Sequence, residues 1–157
     1  MLKPGEQAPG FNLPDADMKL VGLDQFRGTK NLVLYFYPKD DTPGCTTEAI
    51  EFTDRIDEFQ RHDTVVVGVS RDACASHAAF RDKHGLAVQL LADVDGEASE
   101  TYGVWQERER NGVTKPGIVR STFVIDKAGV VRHALYGVTA KGHAQQVLEL
   151  VRALDGD

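Results

Sequence analysis

Cys45 stands in the segment Tyr37-Pro38-Lys39-Asp40-Asp41-Thr42-Pro43-Gly44-Cys45-Thr46-Thr47-Glu48, and its neighbours decide what a thiol there can do. Thr42 suits the residue that caps a helix, and Pro43 suits the first helical position because proline has no N–H to leave unbonded. Cys45 then falls in the first helical turn, among backbone N–H groups that have no acceptor within the helix. Those groups and the positive end of the helix dipole favour an anion. A free thiol of pKa ~8.5 is only about 3% ionised at neutral pH, whereas cysteines at helix starts or beside cations are ionised far more. The spacing therefore puts Cys45 where it would be held as a thiolate, the nucleophilic and oxidisable form. Arg120 offers a second charge, from what reads as the middle of a strand running from Ile118 to Ile125. In that alternation it shares a face with Ile118, Thr122 and Val124 and needs an anionic partner if the face is buried. Glu48 and the Cys45 thiolate both qualify; an edge-strand arginine reaching to water is the alternative.

These residues need elements to bring them together. Asn31 to Tyr37 is a nearly continuous apolar run, as a central strand covered on both faces should be, and Thr64 to Ser70 repeats that character. Between them Ala49, Ile50, Phe52, Thr53, Ile56 and Phe59 recur at three- and four-residue steps, which predicts one helical stripe starting near Pro43. A strand-helix-strand unit of this kind pairs its strands in parallel. It also delivers Cys45 to the carboxyl end of a strand, where such sheets present ligands and chemistry. A second helix is expected from Ala73 to His84, with Asp72 as its cap and Gly85 as its stop. Leu90 and Leu91 suggest a short strand, and Glu97 to Tyr102 a short helix. Val119 to Asp126 and Val130 to Leu135 form an antiparallel hairpin pattern, and Lys141 to Leu154 a final helix with Val147, Leu148, Val151 and Leu154 on its buried side. The order implies an α/β fold, a mixed central sheet flanked by helices in the thioredoxin arrangement.

At 157 residues, 41% hydrophobic and 27% charged, the chain suits one domain over 1–157 with a core that needs no disulfide or metal to hold it. Its 18 basic and 24 acidic residues leave a net charge of −6, and no window gathers lysine and arginine, which argues against a nucleic-acid partner. No apolar run approaches ~18 residues, and Met1-Leu2-Lys3-Pro4-Gly5-Glu6 lacks the basic and apolar regions of a signal peptide. A cytoplasmic protein without a membrane span is expected. The two cysteines, Cys45 and Cys74, are too few for a secreted framework, so any bridge would be transient. Cys45-Thr46-Thr47-Glu48 is not Cys-x-x-Cys, which disfavours a dithiol reductase. The five histidines form no His-x-x-x-His pair and no cysteine cluster, so no metal is expected. Asp93-Val94-Asp95-Gly96-Glu97 has its glycine too early for an EF-hand and reads as a turn into the next helix. Asp40 and Asp41 read as solvated residues of an exposed loop, and His77 as a packing or capping residue. Tyr102 and Trp105 read as core aromatics, with lining of the site mouth as the alternative.

Tyr35 to Ala49 resembles the active-site segment of the peroxiredoxins, specifically the bacterioferritin comigratory protein or peroxiredoxin Q subfamily. It carries the Pro-x-x-x-Thr-x-x-Cys signature as Pro38, Thr42 and Cys45, and Arg120-Ser121-Thr122-Phe123-Val124-Ile125-Asp126 is similar to that family's arginine strand. Likeness at Gly5-Glu6-Gln7-Ala8-Pro9, Ser76-His77 and Tyr102-Gly103-Val104-Trp105 extends it over nearly the whole chain. The resemblance implies a thioredoxin-like fold in its peroxiredoxin form and a thiol-dependent peroxidase acting on hydrogen peroxide and organic hydroperoxides. It implies that Cys45 attacks one peroxide oxygen and becomes a sulfenic acid, releasing water or an alcohol. The residue types agree. The Thr42 hydroxyl can hydrogen-bond thiolate or peroxide, the N–H groups of Gly44 and Cys45 can hold the oxygens, and Arg120 can stabilise charge on the leaving oxygen. Pro38 would shape the loop and shield the thiolate, and Glu48 would orient Arg120 through a bidentate pair. No bound cofactor is implied. The implied reductant is thioredoxin, while glutathione or glutaredoxin fits the chain as well, and a monomer or weak homodimer is expected. The non-enzymatic alternative is a thioredoxin-fold redox sensor or holdase that meets peroxide once.

The chain departs from the subfamily in what would resolve the sulfenic acid. Many resembling members carry a second cysteine five residues after the first, where this chain has Ile50. Others carry it just beyond the phenylalanine matching Phe80, where this chain has Arg81. Cys74 lies two helical turns before Arg81, on the same helix face. A disulfide needs α-carbons within ~7 Å, so pairing Cys74 with Cys45 would demand local unwinding. A one-cysteine cycle is expected, with an external thiol resolving Cys45 and Cys74 serving as a small apolar residue at a helix start; Cys74 as resolving cysteine is the alternative.

Overall fold

Every position of β3 (Asn31–Phe36) is buried, which a run of leucine, valine and aromatics requires once both its faces are covered. The computed structural model describes residues 1–155. β3 is the central strand of a five-stranded sheet. On one side it pairs in parallel with β4 (Thr64–Ser70), which pairs in parallel with β5 (Gln89–Ala92); on the other it pairs antiparallel with β8 (Ser121–Ile125), followed by antiparallel β9 (Val131–Tyr136). α1 (Pro43–Asp54) and α2 (Ile56–Arg61) connect β3 to β4, α3 (Cys74–His84) connects β4 to β5, and α4 (Glu97–Thr101) and α5 (His143–Asp155) complete the helices. The mixed sheet with flanking helices is the expected one.

The pleat of β3 sorts the core into two layers. Val33, Tyr35 and, just past the strand, Tyr37 face a layer built from Phe52, Phe59, Phe80, Val147 and Leu148 on the helices, and Cys45 belongs to it. Leu32, Leu34 and Phe36 face the other layer, with Tyr102, Phe123 and the N-terminal Val21 and Leu23. Trp105 packs against this second layer, beneath the guanidinium of Arg71 at 4.5 Å from its ring centre. Tyr102 is thus a core aromatic and Trp105 a half-buried one at the margin of the same layer, on the face away from Cys45. Across β4 from Tyr35 is Gly68. A Cβ there would lie 2.7 Å from the tyrosine ring carbon Cζ, so the missing side chain is what admits the ring, which stacks on Phe52 at 4.8 Å.

Several local expectations are corrected. The single stripe from Pro43 to Phe59 breaks at Arg55 (φ −110°, ψ 7°), whose N–H bonds back to Phe52; the break lets α2 pack on β4 and α5. Gly85, in the left-handed region at φ 61°, ends α3 as expected, but Asp72 does not cap that helix. Ala73 holds the cap position, and the Asp72 carboxylate instead accepts from Ser70 Oγ at 2.6 Å and the Asp40 N–H at 2.8 Å. Two hairpins were not read from the sequence: β1 (Asn12–Pro14) with β2 (Leu20–Gly22), and the exposed β6 (Trp105–Arg110) with β7 (Val113–Ile118). The N-terminal region touches both outer strands of the main sheet. Gly5 and Glu6 exchange backbone hydrogen bonds with Val131 at the start of β9, and Asp15 forms an antiparallel bridge with Leu91 of β5.

Candidate active site

The loop from Tyr37 to Thr42 leaves the carboxyl end of β3 and turns directly into α1, with Thr42 at the cap position and Pro43 at the first helical position. The first backbone bond of the helix runs from Thr46 N–H to Thr42 O at 2.8 Å, so the N–H groups of Gly44 and Cys45 precede the ladder, as the sequence predicts. Cys45 is 2% exposed. Its sulfur receives a hydrogen bond from Arg120 Nη2 at 3.4 Å, and Arg120 Nη1 donates to Glu48 Oε1 at 2.7 Å. The guanidinium thus spans the thiol and a carboxylate one helical turn apart on α1.

Arg120 does not reach this position from mid-strand. It lies with Val119 in the two-residue junction between β7 and β8, outside either ladder. That junction lets the side chain lie across the start of α1, where a Cβ on Gly44 would sit 3.1 Å from Nη2. Nor is the pair with Glu48 bidentate. Glu48 Oε2 is fully buried and has no hydrogen-bond partner, and the same holds for the hydroxyl of Tyr35. Burial pushes the Glu48 carboxyl up to about 7, outweighing the opposite pull of Arg120. Arg120 is held above its usual range by Glu48 and Cys45, whose charges outweigh its own desolvation.

Thr42 does not cap α1 with its side chain; its hydroxyl donates to Lys39 O at 2.8 Å. The hydroxyl hydrogen is therefore engaged, and what Thr42 Oγ1 presents outward are lone pairs. Pro38 is half-buried at the loop's start, and Cys74 is half-buried as the first residue of α3. Both cysteines are free thiols.

Asp40 departs from the expectation of a solvated loop residue. It is 8% exposed rather than solvated, and accepts hydrogen bonds from Tyr37 Oη at 2.6 Å and Ser76 Oγ at 2.8 Å, with His77 Nδ1 at 2.8 Å. No local signal marks it, because its partners lie up to 37 residues away. Asp41 is exposed and pairs with Lys83 and His84 near the end of α3. A surface cavity of about 390 Å³ sits elsewhere, on the β6–β7 hairpin between Arg108, Arg110, Val113 and Lys115, and none of the residues around Cys45 lines it. Among the described residues no cluster of three or more His, Cys, Asp or Glu is arranged to hold a metal ion, and no helix is long and apolar enough to cross a membrane.

Residues 4–134 match the model of the AhpC/TSA family. The chain belongs to that family. As an AhpC/TSA member it is 42% identical over 146 residues to a putative peroxiredoxin of Mycobacterium tuberculosis, covering 93% of this chain and 92% of the relative. It is 39% identical over 151 residues to peroxiredoxin Bcp of Escherichia coli, covering 96% of each. Among solved structures it is similar to the bacterioferritin comigratory protein of Xanthomonas campestris, described for its alkyl peroxide reduction activity, with TM-score 0.86 and 37% identity over 91% of this chain and 90% of that one. A PrxQ variant from Xylella fastidiosa superposes with TM-score 0.92 at 33% identity, covering 99% and 98% of the two chains. The family and the thioredoxin-like fold named by the sequence resemblance are therefore established for this AhpC/TSA chain.

Proposed function

We propose that this chain reduces hydroperoxides at Cys45 and is returned to the thiol by an external dithiol donor. The observation that carries the assignment is Arg120 bridging the Cys45 sulfur and Glu48 at the first turn of α1. The protein is a thiol-dependent peroxidase, and its AhpC/TSA relatives bear peroxiredoxin names.

The Cys45 thiolate attacks one oxygen of the hydroperoxide; a sulfur–oxygen bond forms as the oxygen–oxygen bond breaks. The departing oxygen takes a proton and leaves as water or alcohol, and sulfur is left as sulfenic acid. Arg120 stabilises the thiolate before the step and the charge on the oxygens during it, joined by the free N–H groups of Gly44 and Cys45. Thr42, with its own hydrogen committed to Lys39, accepts a hydrogen bond from the peroxide O–H and so holds that oxygen, the one transferred to sulfur, against Cys45, leaving the other to depart as water or alcohol. Pro38 walls the loop without adding a donor. A donor thiol then attacks the sulfenic sulfur, releasing water and forming a mixed disulfide, which the donor's second thiol breaks to restore Cys45. Thioredoxin fits that role; two unpaired cysteines fit a reducing compartment such as the cytoplasm. A monomer or weak homodimer suffices, because all the groups named come from one chain.

A coupled assay with thioredoxin, thioredoxin reductase and NADPH tests this reading. Peroxide-dependent NADPH consumption is expected with the wild-type chain and is abolished in Cys45→Ser. Consumption that stops after a single equivalent would instead support a sensor or holdase.

A further inference from the structure

The loop that carries Thr42 is fastened to α3 by a buried charge cluster that plays no part in the chemistry described above. His77 is 0% and Asp40 8% exposed. The two ring nitrogens of His77 face two acceptors: Nε2 lies 2.8 Å from the carbonyl of Leu91, and Nδ1 lies 2.8 Å from Asp40 Oδ2. A carbonyl cannot donate, so Nε2 carries a hydrogen, and one further hydrogen lies between Nδ1 and the carboxylate. Asp40 also receives the hydroxyl hydrogens of Tyr37 and Ser76, while its N–H binds Asp72, which is itself held by Ser70 at the end of β4. Both carboxylate oxygens of Asp40 are therefore engaged, and the hydrogen bonds around it hold its carboxyl below its usual value against the pull of burial. Thr42 and the first turn of α1 follow within five residues.

We propose that the Asp40–His77 pair is a positioning clasp, which holds the 38–42 loop on α3 and thereby sets Thr42 and the Cys45 turn for attack on peroxide. A loop released from α3 would misplace Thr42 and the helix start relative to Arg120, and displacements near 1 Å cost large factors in rate. Release would also uncover the buried thiol. The clasp thus predicts two changes of opposite sign, slower oxidation by peroxide and faster modification by a small alkylating reagent.

The test uses the full chain in a Cys74→Ser background, so that only Cys45 reports. Stopped-flow measurement gives the second-order rate constant for oxidation by hydrogen peroxide, and iodoacetamide gives the alkylation rate. An asparagine carboxamide can place its nitrogen near Nδ1 and a glutamine near Nε2. His77→Asn, which keeps a donor for Asp40, should stay within a few-fold of wild type. His77→Gln, which keeps only the Leu91 bond, should slow oxidation by about tenfold or more and speed alkylation. Ser99→Ala, in α4, is the control for lost stability, since it removes the 2.6 Å hydrogen bond from Ser99 Oγ to Asp93, ahead of that helix, and touches nothing in the 38–42 loop; its oxidation rate should match wild type. The clasp is overturned if His77→Gln oxidises at the wild-type rate, if both His77 variants are equally slow, or if Ser99→Ala is slowed as much as His77→Gln. Should His77→Gln not fold, Ser76→Ala removes one donor to Asp40 without stranding a charge. It should show the same opposed changes on a smaller scale, and wild-type behaviour in both assays would sink the proposal. The clasp rests on Cys45 as the reacting thiol. Peroxide consumption persisting in Cys45→Ser would overturn that reading, whereas the His77 outcomes bear on the clasp alone.

Discussion

Glu48 is the residue under most conflict in this protein. It is fully buried, its Oε1 is held by Arg120, its Oε2 has no partner, and burial raises its carboxyl from 4.5 to about 7. Between those two values the folded chain keeps a proton that the unfolded chain has released, so the folded state binds more protons and stability falls as pH rises. The contribution is fully present below the unfolded value of 4.5 and lost as pH climbs through about 7, a loss on the order of 3 kcal/mol. Glu48→Gln cannot titrate and should flatten the dependence of the thermal midpoint on pH between about 5 and 8. A slope identical to wild type would mean that Glu48 stays ionised when folded. Arg120 makes the complementary case. Arg120→Met keeps most of the side-chain bulk and removes both N–H contacts, to Cys45 and to Glu48. Loss of a donor to developing charge costs about 10² to 10³ in rate, so oxidation of Cys45 by peroxide should slow by about that factor in stopped-flow. A rate constant within twofold of wild type would remove Arg120 from the chemistry.

The elements legible in the sequence are those whose environment is uniform along their length. Asn31–Phe36 and Thr64–Ser70 are nearly continuous apolar runs, polar only at their ends, because both faces are covered, so composition alone announces them. Cys45 could be placed in the first turn of α1 because proline and threonine punctuate helix starts locally. The hairpin from Trp105 to Ile118 could not be read, because Gln-Glu-Arg-Glu-Arg and Thr-Lys-Pro-Gly are exposed, charged and interrupted by proline, with no buried face to impose alternation. Missing that hairpin is also why Arg120 was assigned to a strand interior, since β7 ends at Ile118 and β8 begins at Ser121. Asp40 was misread because its burial depends on α3 folding back over the loop, a contact between residues far apart in the chain. Gly68 in β4 shows how tightly an element interior can constrain a neighbour. Its absent Cβ is replaced by the ring of Tyr35, itself stacked on Phe52 and fully buried. Gly68→Ala would force the ring to move in a packed layer and should cost about 1–3 kcal/mol, read as a lower urea midpoint. Unchanged stability would show that the layer has room to yield.

At the scale of the whole molecule, the catalytic cycle depends on whether the two thiols ever meet. Cys45 sits in the first turn of α1 and Cys74 in the first turn of α3, and both are free in the folded state. α3 is tied down along its length, by Asp40 at Ser76 and His77, by Asp17 at Arg81, and by Asp41 at Lys83 and His84. A helix so fastened is slow to unwind, so one equivalent of peroxide should give an intact mass heavier by a single oxygen that persists. Cys74→Ser should keep most of its donor-dependent turnover. Prompt loss of two hydrogens, absent in Cys74→Ser, would instead make Cys74 the resolving thiol. The N-terminal region has a different consequence for the molecule. By bonding Val131 at the start of β9 and bridging Leu91 in β5, residues 5–15 cover part of each margin of a five-stranded sheet whose edge backbone would otherwise be more open to strand addition. Removal of residues 1–16 should therefore turn a well-behaved solute into one that aggregates edge to edge. Light scattering during mild heating would show this as heavy species from the shortened chain at temperatures where the full chain keeps a single mass.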